Sequence, residues 1–256
     1  MIRKRLVGVV TVKDGWAVQS IGYRRYLPLG RPEILVENLD RWGADEILLQ
    51  VIDRTRRALG PDMELLERIG GLGLSTPLIY AGGIGSAADA VAAVAAAADR
   101  IVVDALIHDN PDEVVKAGEL LGNQAMIASL PLSIEHGVAQ LLDYRARASE
   151  PLKEPLLEML RSGALSEALV IDWKHEGGPS SFDEALLTAL PEGVPVIAFG
   201  GLSSPAQMGN ILACQHVVAG AVGNFLSYRE HAIQHYKTEL FGVPMRSPTY
   251  QQTHRL

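Results

Sequence analysis

Two glycine pairs set at matching points of the chain constrain its fold more than any other feature. Gly82-Gly83 follows the apolar run Leu78-Ile79-Tyr80-Ala81, and Gly200-Gly201 follows Val196-Ile197-Ala198-Phe199, 118 positions later. Ile52-Asp53 and Ile171-Asp172 close further apolar runs 119 positions apart, and the runs ending at Asp104 and Gly223 repeat the same offset of 119. A shared offset at several landmarks points to an internal duplication. Each half ends a buried strand in a glycine turn, where the missing Cβ lets backbone N–H groups approach an anion and the following helix N-terminus adds positive charge.

Short apolar runs alternate with longer amphipathic stretches along the whole chain, the pattern of parallel strands joined by crossover helices. Strands are expected near 5–12, 46–52, 77–81, 100–104, 124–130, 167–172, 195–199 and 216–220. Helices are expected at 32–43, 61–71, 86–97, 111–121, 151–163, 182–189, 205–213 and 228–239, several opened by a capping or first-turn residue such as Ser86, Pro111 or Ser204-Pro205. Eight such units predict an α/β fold, a single (β/α)8 TIM-type barrel with an internal twofold repeat, and 256 residues suit the roughly 250 such a barrel needs. We place half-barrels at about 1–122 and 123–240 and a C-terminal tail at 241–256. The stretch 133–154, polar and weakly patterned, reads as an extended loop or excursion.

A net charge of −7 argues against a protein held on nucleic acid or anionic lipid by overall charge. No run approaches the roughly 20 apolar residues of a membrane span, the start lacks a signal-peptide stretch, and the single Cys214 cannot form an internal disulfide. A cytoplasmic protein is expected. Cys214 has no paired base and reads as a small buried residue.

In a barrel of this kind the functional groups cluster after the C-terminal ends of the strands. Two phosphate cradles are therefore expected on one face: Gly82, Gly83 and Asp104 in the first half, and Gly200, Gly201, Gly223 and Asn224 in the second. They would suit a ligand with a phosphate at each end. Asp104 sits awkwardly there, because its charge repels a phosphate at close range, and glycines that merely terminate barrel strands are the structural alternative.

Several ordered motifs, Val12-Lys13-Asp14-Gly15, Gly43-Ala44-Asp45-Glu46, Ala81-Gly82-Gly83-Ile84, Ala98-Asp99-Arg100-Ile101-Val102-Val103-Asp104, Gly122-Asn123-Gln124-Ala125 and Phe199-Gly200-Gly201, together resemble the cyclase subunit of imidazole glycerol phosphate synthase, the HisF-like family, over about residues 3–240. The resemblance implies a duplicated barrel that binds a doubly phosphorylated ribonucleotide and receives ammonia from a glutaminase subunit docked at the opposite end. It implies no cofactor and no metal. It also implies two aspartates acting as general acid and base at the ends of strands one and five. Here those positions hold Thr11 and Leu130 or Pro131, none of which shuttles a proton near neutral pH. A third acidic position holds Val51, with Asp53 two places on, and the basic residue of the first long loop is replaced by Gln19.

The other end of the barrel keeps its pattern. Charged residues ring the family's ammonia entrance, and the matching positions are Arg5, Glu46, Arg100 and Glu167, with Asp99 at a position that pairs with the glutaminase. A plain salt-bridge plug is the alternative. The segment Val18 to Glu33 looks like the first loop of a divergent branch associated with acetamidino sugars of surface polysaccharides, and its Arg24, Arg25 and Arg31 are candidate contacts for an anion.

At the end of strand six, the resemblance aligns Glu176 and Gly177 with an acidic residue and a glycine that approach the substrate. His175 is added beside them, so His175 with Glu176 is a candidate acid–base pair, and Thr11 remains a candidate by position. Asp14, Asp53 and Asp172 are other carboxylates near strand ends, and Trp16 and Trp173 are candidate pocket walls. His231 and His235 have metal-compatible spacing but no third ligand, so they read as a surface helix. The first functional expectation is a glutaminase-partnered barrel acting on a phosphorylated or nucleotide-linked sugar. The rivals are a histidine-pathway cyclase with migrated groups and a non-catalytic binding or scaffold subunit.

Overall fold

Every apolar run expected as a barrel strand forms one in the computed structural model, which describes residues 3–228, 230–240 and 242–245. In chain order the strands are β1 (Arg5–Lys13), β2 (Trp16–Ile21), β3 (Arg25–Gly30), β4 (Glu46–Val51), β5 (Leu78–Ala81), β6 (Arg100–Val103), β7 (Met126–Glu135), β8 (Val138–Asp143), β9 (Ala148–Pro151), β10 (Glu167–Asp172), β11 (Val196–Phe199) and β12 (Val217–Val222). Eight of them pair in parallel in the order β10-β11-β12-β1-β4-β5-β6-β7, and β7 pairs back with β10 from Ile127 opposite Glu167 to Leu132 opposite Asp172. The sheet closes, giving a (β/α)8 TIM barrel with no open edge in the ring.

Strand side chains alternate, so each strand feeds two cores. Val7, Val9, Leu48, Ile79, Val102, Ile127, Leu169, Ile171, Ile197, Phe199, Ala219 and Ala221 form the lumen. Their neighbours, among them Leu6, Val10, Leu49, Tyr80, Ile101 and Val170, pack outward against the helices. Both faces are buried, which explains why the strands read as continuous apolar runs.

The helices are α1 (Pro32–Arg41), α2 (Arg54–Arg57), α3 (Met63–Gly70), α4 (Ala87–Ala96), α5 (Leu106–Asp109), α6 (Pro111–Leu121), α7 (Glu154–Arg161), α8 (Pro205–Ala213) and α9 (Ala232–Glu239). Capping sets their starts: Asp62, Ser86 and Ser204 accept from the amides of Leu65 (3.2 Å), Asp89 (3.1 Å) and Gln207 (3.3 Å). The alanine-rich α4 buries only Ala87, Ala90 and Ala93. This small face lets it lie close to the barrel, and Gly70 packs where a Cβ would come within 2.7 Å of the Ala96 carbonyl oxygen.

Two expected helices differ from the sequence expectation, and the weakly patterned stretch takes one of its two expected forms. The stretch 133–154 is an antiparallel excursion: β7 runs on to Glu135, β8 returns along it, and β9 pairs with β8. In β8 only Leu141 is buried, so the segment lacks the pattern of a core strand. The helix expected at 182–189 is a 3-10 turn over Glu184–Thr188, and the one expected at 228–239 begins later, as α9 at Ala232, with a 3-10 turn over Asn224–Tyr228 ahead of it. The first long loop is a second hairpin, β2–β3, folded over the mouth.

Candidate ligand-binding site

At the C-terminal mouth of the barrel lies a cavity of about 770 Å³, large enough for a phosphorylated sugar or a nucleotide. Its floor is the lumen face of the strands, with Ala81, Val102 and Ile171; its walls come from the β2–β3 turn, the loop after β4 and the β7–β9 excursion. Tyr23, Tyr26, Tyr144 and Trp173 line it, together with Lys13, Arg24, Arg56 and Arg147.

Strand register decides which mouth residues face this space. On β4, Gln50 and Val51 both border the cavity; Gln50 accepts from the Tyr23 hydroxyl at 3.3 Å, and Val51 also packs in the outer core. On β7, Pro131 faces the cavity and Leu130 packs outward. Thr11 is buried opposite Gln50 and does not line the cavity. Both carboxylates that do line it are engaged: Glu135 pairs with Lys174 at 2.9 Å, and Asp104 accepts from the Tyr144 hydroxyl. Burial pushes Asp104 above the usual carboxylate range against the opposing bond from Tyr144, and burial, with the Asp104 charge next, pushes the Tyr144 phenol up as well.

The two glycine turns share a backbone conformation, with φ of +134° and +71° at Gly82 and Gly83 and +99° and +73° at Gly200 and Gly201. Their surroundings differ. In the first half, the Gly83 amide donates to the Thr55 hydroxyl (2.9 Å), Gly85 to Asp89 (3.0 Å) and Ala87 to Glu113 (2.7 Å), so these three amides are bonded within the chain. In the second half, Glu176, Gly177, Gly200, Gly201, Gly223 and Asn224 border a small cleft separate from the large cavity. Asn224 is clasped there to Ser20: its amide nitrogen donates to the Ser20 carbonyl, and its oxygen accepts from the Ser20 amide at 3.2 Å.

Glu176 belongs to the same clasp. It is 4 % exposed and accepts from the Ser20 hydroxyl (3.0 Å) and the Tyr23 amide (3.2 Å), while its carbonyl accepts from the Gly22 amide (2.9 Å). Burial raises its pKa, opposed by these donors. His175 does not pair with it. The imidazole Nδ1 lies 2.7 Å from Asp172, which is itself buried and also accepts from the Asp183 amide at 2.8 Å. Neither His175 nor Glu176 lines the large cavity.

At the opposite mouth, Arg5, Glu46, Arg100 and Glu167 form a closed ring of alternating charge. Arg5 bonds Glu46 at 3.0 Å and Glu167 at 2.8 Å, and Arg100 bonds the same two carboxylates at 3.4 and 3.0 Å. Burial is the largest influence on Glu46 and raises its pKa, with Arg5 and Arg100 opposing it. Asp99 lies outside the ring and accepts from the Leu78 amide at 2.8 Å.

Of the remaining candidates, Arg25 stands away from the cavity and Arg31 pairs with Glu33 at 3.5 Å. Asp14 and Asp53 share Arg57 at 2.8 and 3.1 Å. Trp16 is exposed, while the buried Trp173 indole Nε1 has no partner among the described residues. His231 packs near Trp42 and His235 lies 3.0 Å from Glu239. The Cys214 carbonyl accepts from the Lys4 ammonium at 3.0 Å. Sequence reasoning missed Tyr144, Arg56 and Arg147, because nothing in Asp143-Tyr144-Arg145-Ala146-Arg147 tells which way an excursion folds.

Comparison with known proteins agrees with this architecture. The profile of the family described as histidine biosynthesis protein matches residues 5–231. The chain is 24% identical over 246 residues to imidazole glycerol phosphate synthase subunit HisF of Halalkalibacterium halodurans, covering 94% of this chain and 97% of that one. It is 25% identical over 260 residues to the subunit of the same name in Bacillus subtilis (96% and 100% covered), and 26% identical over 246 residues to that of Staphylococcus carnosus (94% and 96% covered). A barrel matched over nearly its whole length, by a family profile and by relatives of one name, is a member of the histidine biosynthesis protein family and of its HisF-like group.

Proposed function

We propose that this chain is the barrel subunit of a glutamine-dependent amidotransferase, taking ammonia from a glutaminase subunit at the ringed mouth and acting on a phosphorylated or nucleotide-linked sugar at the other. The observation that carries the reading is a contrast between the two mouths. The ring of Arg5, Glu46, Arg100 and Glu167 is complete, while the positions where the resemblance places the proton-shuttling aspartates hold Thr11 and Pro131. The relatives are named as subunits of a synthase, which supports a partner chain here too. Above the ring the lumen is apolar, a medium that disfavours ammonium far more than neutral ammonia.

The test is to co-express the chain with its glutaminase homologue. A stable complex and raised glutamine hydrolysis are expected; no complex at micromolar concentrations overturns the proposal. Incubation with the doubly phosphorylated ribonucleotide intermediate and an ammonium salt should give no turnover, and turnover would restore the histidine-pathway cyclase. The engaged state of Asp104 and Glu135 favours one further reading, a binding subunit that performs no chemistry itself. That reading predicts that Thr11→Ala and Glu176→Gln leave the activity of the complex unchanged while Arg100→Glu abolishes it.

A further inference from the structure

We infer that the β8–β9 hairpin is a strap latched over the first glycine turn by Tyr144, and that an anionic group such as a phosphate, on entering that turn, parts the latch and frees the hairpin tip. The inference rests on the reading above in taking this mouth as the substrate site, and it adds a conformational step to ligand entry.

The latch is a chain of hydrogen bonds through four segments. The Gly83 amide donates to the Thr55 hydroxyl at 2.9 Å, Thr55 donates to the Tyr144 phenol, and the phenol gives its one hydrogen to Asp104. Gly82, Thr55, Asp104 and Tyr144 all line the large cavity, so the chain crosses the side from which a ligand reaches the turn. An anion arriving there meets the Asp104 charge and a phenol whose hydrogen is already given, and it competes with Thr55 for the Gly83 amide. Entry is favoured as the latch parts: the phenol becomes free to donate, and water reaches Asp104 and screens its charge. Little else holds the tip. In β8 only Leu141 is buried. The other ties, Arg145 to Asp109 at 2.5 and 2.9 Å and Lys174 to Glu135 at 2.9 Å, are surface ion pairs of the kind that contribute little. A segment anchored in this way opens locally at small cost.

The twofold repeat of the barrel supplies a second, independent observation. Counted around the ring from β1, the first glycine turn and Asp104 end the third and fourth strands, β5 and β6, and the hairpin over them follows the fifth, β7. The second glycine turn and Asn224 follow the seventh and eighth strands, β11 and β12, and the hairpin over them, β2–β3, follows the next strand in the closed ring, β1. There Asn224 and Ser20 are bonded in both directions, and a Cβ on Gly177 would lie 2.3 Å from the Ser20 carbonyl oxygen. Each half thus closes its glycine turn with a hairpin from the neighbouring strand, through a polar side chain at the strand end beside that turn. A placement repeated in both halves is a property of the fold and not an accident of one loop.

The exposed tip carries two trypsin sites, Arg145 and Arg147, so limited proteolysis of the full chain reads the strap directly. The probe is inorganic phosphate, compared with sodium chloride at equal ionic strength because salt alone screens the Arg145 pair, and cleavage after Arg161 in α7 serves as the reference. Phosphate is expected to raise cleavage at the tip, relative to the reference, about fivefold or more. Tyr144→Phe keeps the ring but lacks the latch; its tip should be cleaved fast without phosphate, and by calorimetry it should bind phosphate about fivefold more tightly, since a competing closed state lowers apparent affinity in proportion to its population. Tyr144→Ala should behave in the same way. Phosphate that binds but leaves tip cleavage unchanged or slows it, folded Tyr144 variants with wild-type cleavage and affinity, or no binding of millimolar phosphate to any of the three proteins overturns the inference. Glutaminase complex formation, measured separately on the same proteins, shows whether the parent reading survives that failure.

Discussion

Glu176 and His175 show how little a residue's identity fixes its role. A carboxylate and an imidazole adjacent on the active face read as an acid–base pair, yet each is tied elsewhere: Glu176 to Ser20 and Tyr23, His175 to Asp172. If Glu176 is a clasp, Glu176→Gln keeps an oxygen acceptor for both donors and should change stability by no more than about 1 kcal/mol, while Glu176→Ala strands them and should cost about 2 kcal/mol or more in denaturant titration. The pH dependence has a definite sign. Because burial raises the folded pKa of Glu176 above its unfolded value, the folded state keeps the proton longer, and its contribution to stability falls as pH rises through that window. Glu176→Gln lacks this titration, so the variant should gain on the wild type between acidic and neutral pH; a parallel pair of stability curves would refute the assignment. The glycines carry a second lesson. Gly83 was legible as a left-handed turn, but not the reason it has no side chain: a Cβ would lie 2.0 Å from the Gly60 carbonyl oxygen, whereas Gly15, at φ +79°, has open space. Gly83→Ala should therefore cost more than about 3 kcal/mol and Gly15→Ala only about 1–2 kcal/mol, whether or not a ligand ever visits.

The barrel strands were legible because burial on both faces leaves runs such as Leu78–Ala81 and Val196–Phe199 wholly apolar. The β7–β9 excursion was not. Its strands touch the core mainly through Leu141 and otherwise follow hairpin hydrogen bonding, which places no periodic demand on side chains. It nevertheless shapes the site, because it delivers Tyr144 to Asp104. The Tyr144 hydroxyl is the principal donor to a carboxylate whose pKa burial has already raised. Tyr144→Phe removes that donor, so Asp104 should hold its proton to still higher pH. Since a raised carboxylate pKa lowers stability as pH rises, the variant should lose about 1.5–3 kcal/mol at pH 7 and distinctly less at pH 4. Adding Asp104→Asn should recover most of the loss at pH 7. Equal losses at both pH values would mean that packing of the ring, not the hydroxyl, is what matters.

At the scale of the whole molecule, the strand register that leaves Gln50 and Pro131 facing the cavity also brings Arg5, Glu46, Arg100 and Glu167 into one ring at the far mouth. Charges so far apart in sequence meet because each occupies the first lumen-facing position of its strand, a placement the positions of the apolar runs already implied. Whether the ring is a plug or a portal can be separated experimentally. Arg100 holds Glu46 and Glu167 and also donates to the Gln124 carbonyl at 3.0 Å and the Ser166 hydroxyl at 3.2 Å. Arg100→Met keeps the aliphatic bulk but leaves two carboxylates to Arg5 alone, so it should destabilise the barrel by about 1–3 kcal/mol, with part restored by adding Glu167→Gln. The double variant is the informative one, because it folds with an uncharged stretch in the ring. If the ring only seals the floor, a glutaminase partner should be stimulated by it as by the wild type. If the ring admits ammonia, the complex should still form and glutamine should still be hydrolysed, but the ammonia should escape to bulk solution, where glutamate dehydrogenase assay of free ammonium detects it. Free ammonium equal to that of the wild-type complex during turnover would leave the plug as the sole role.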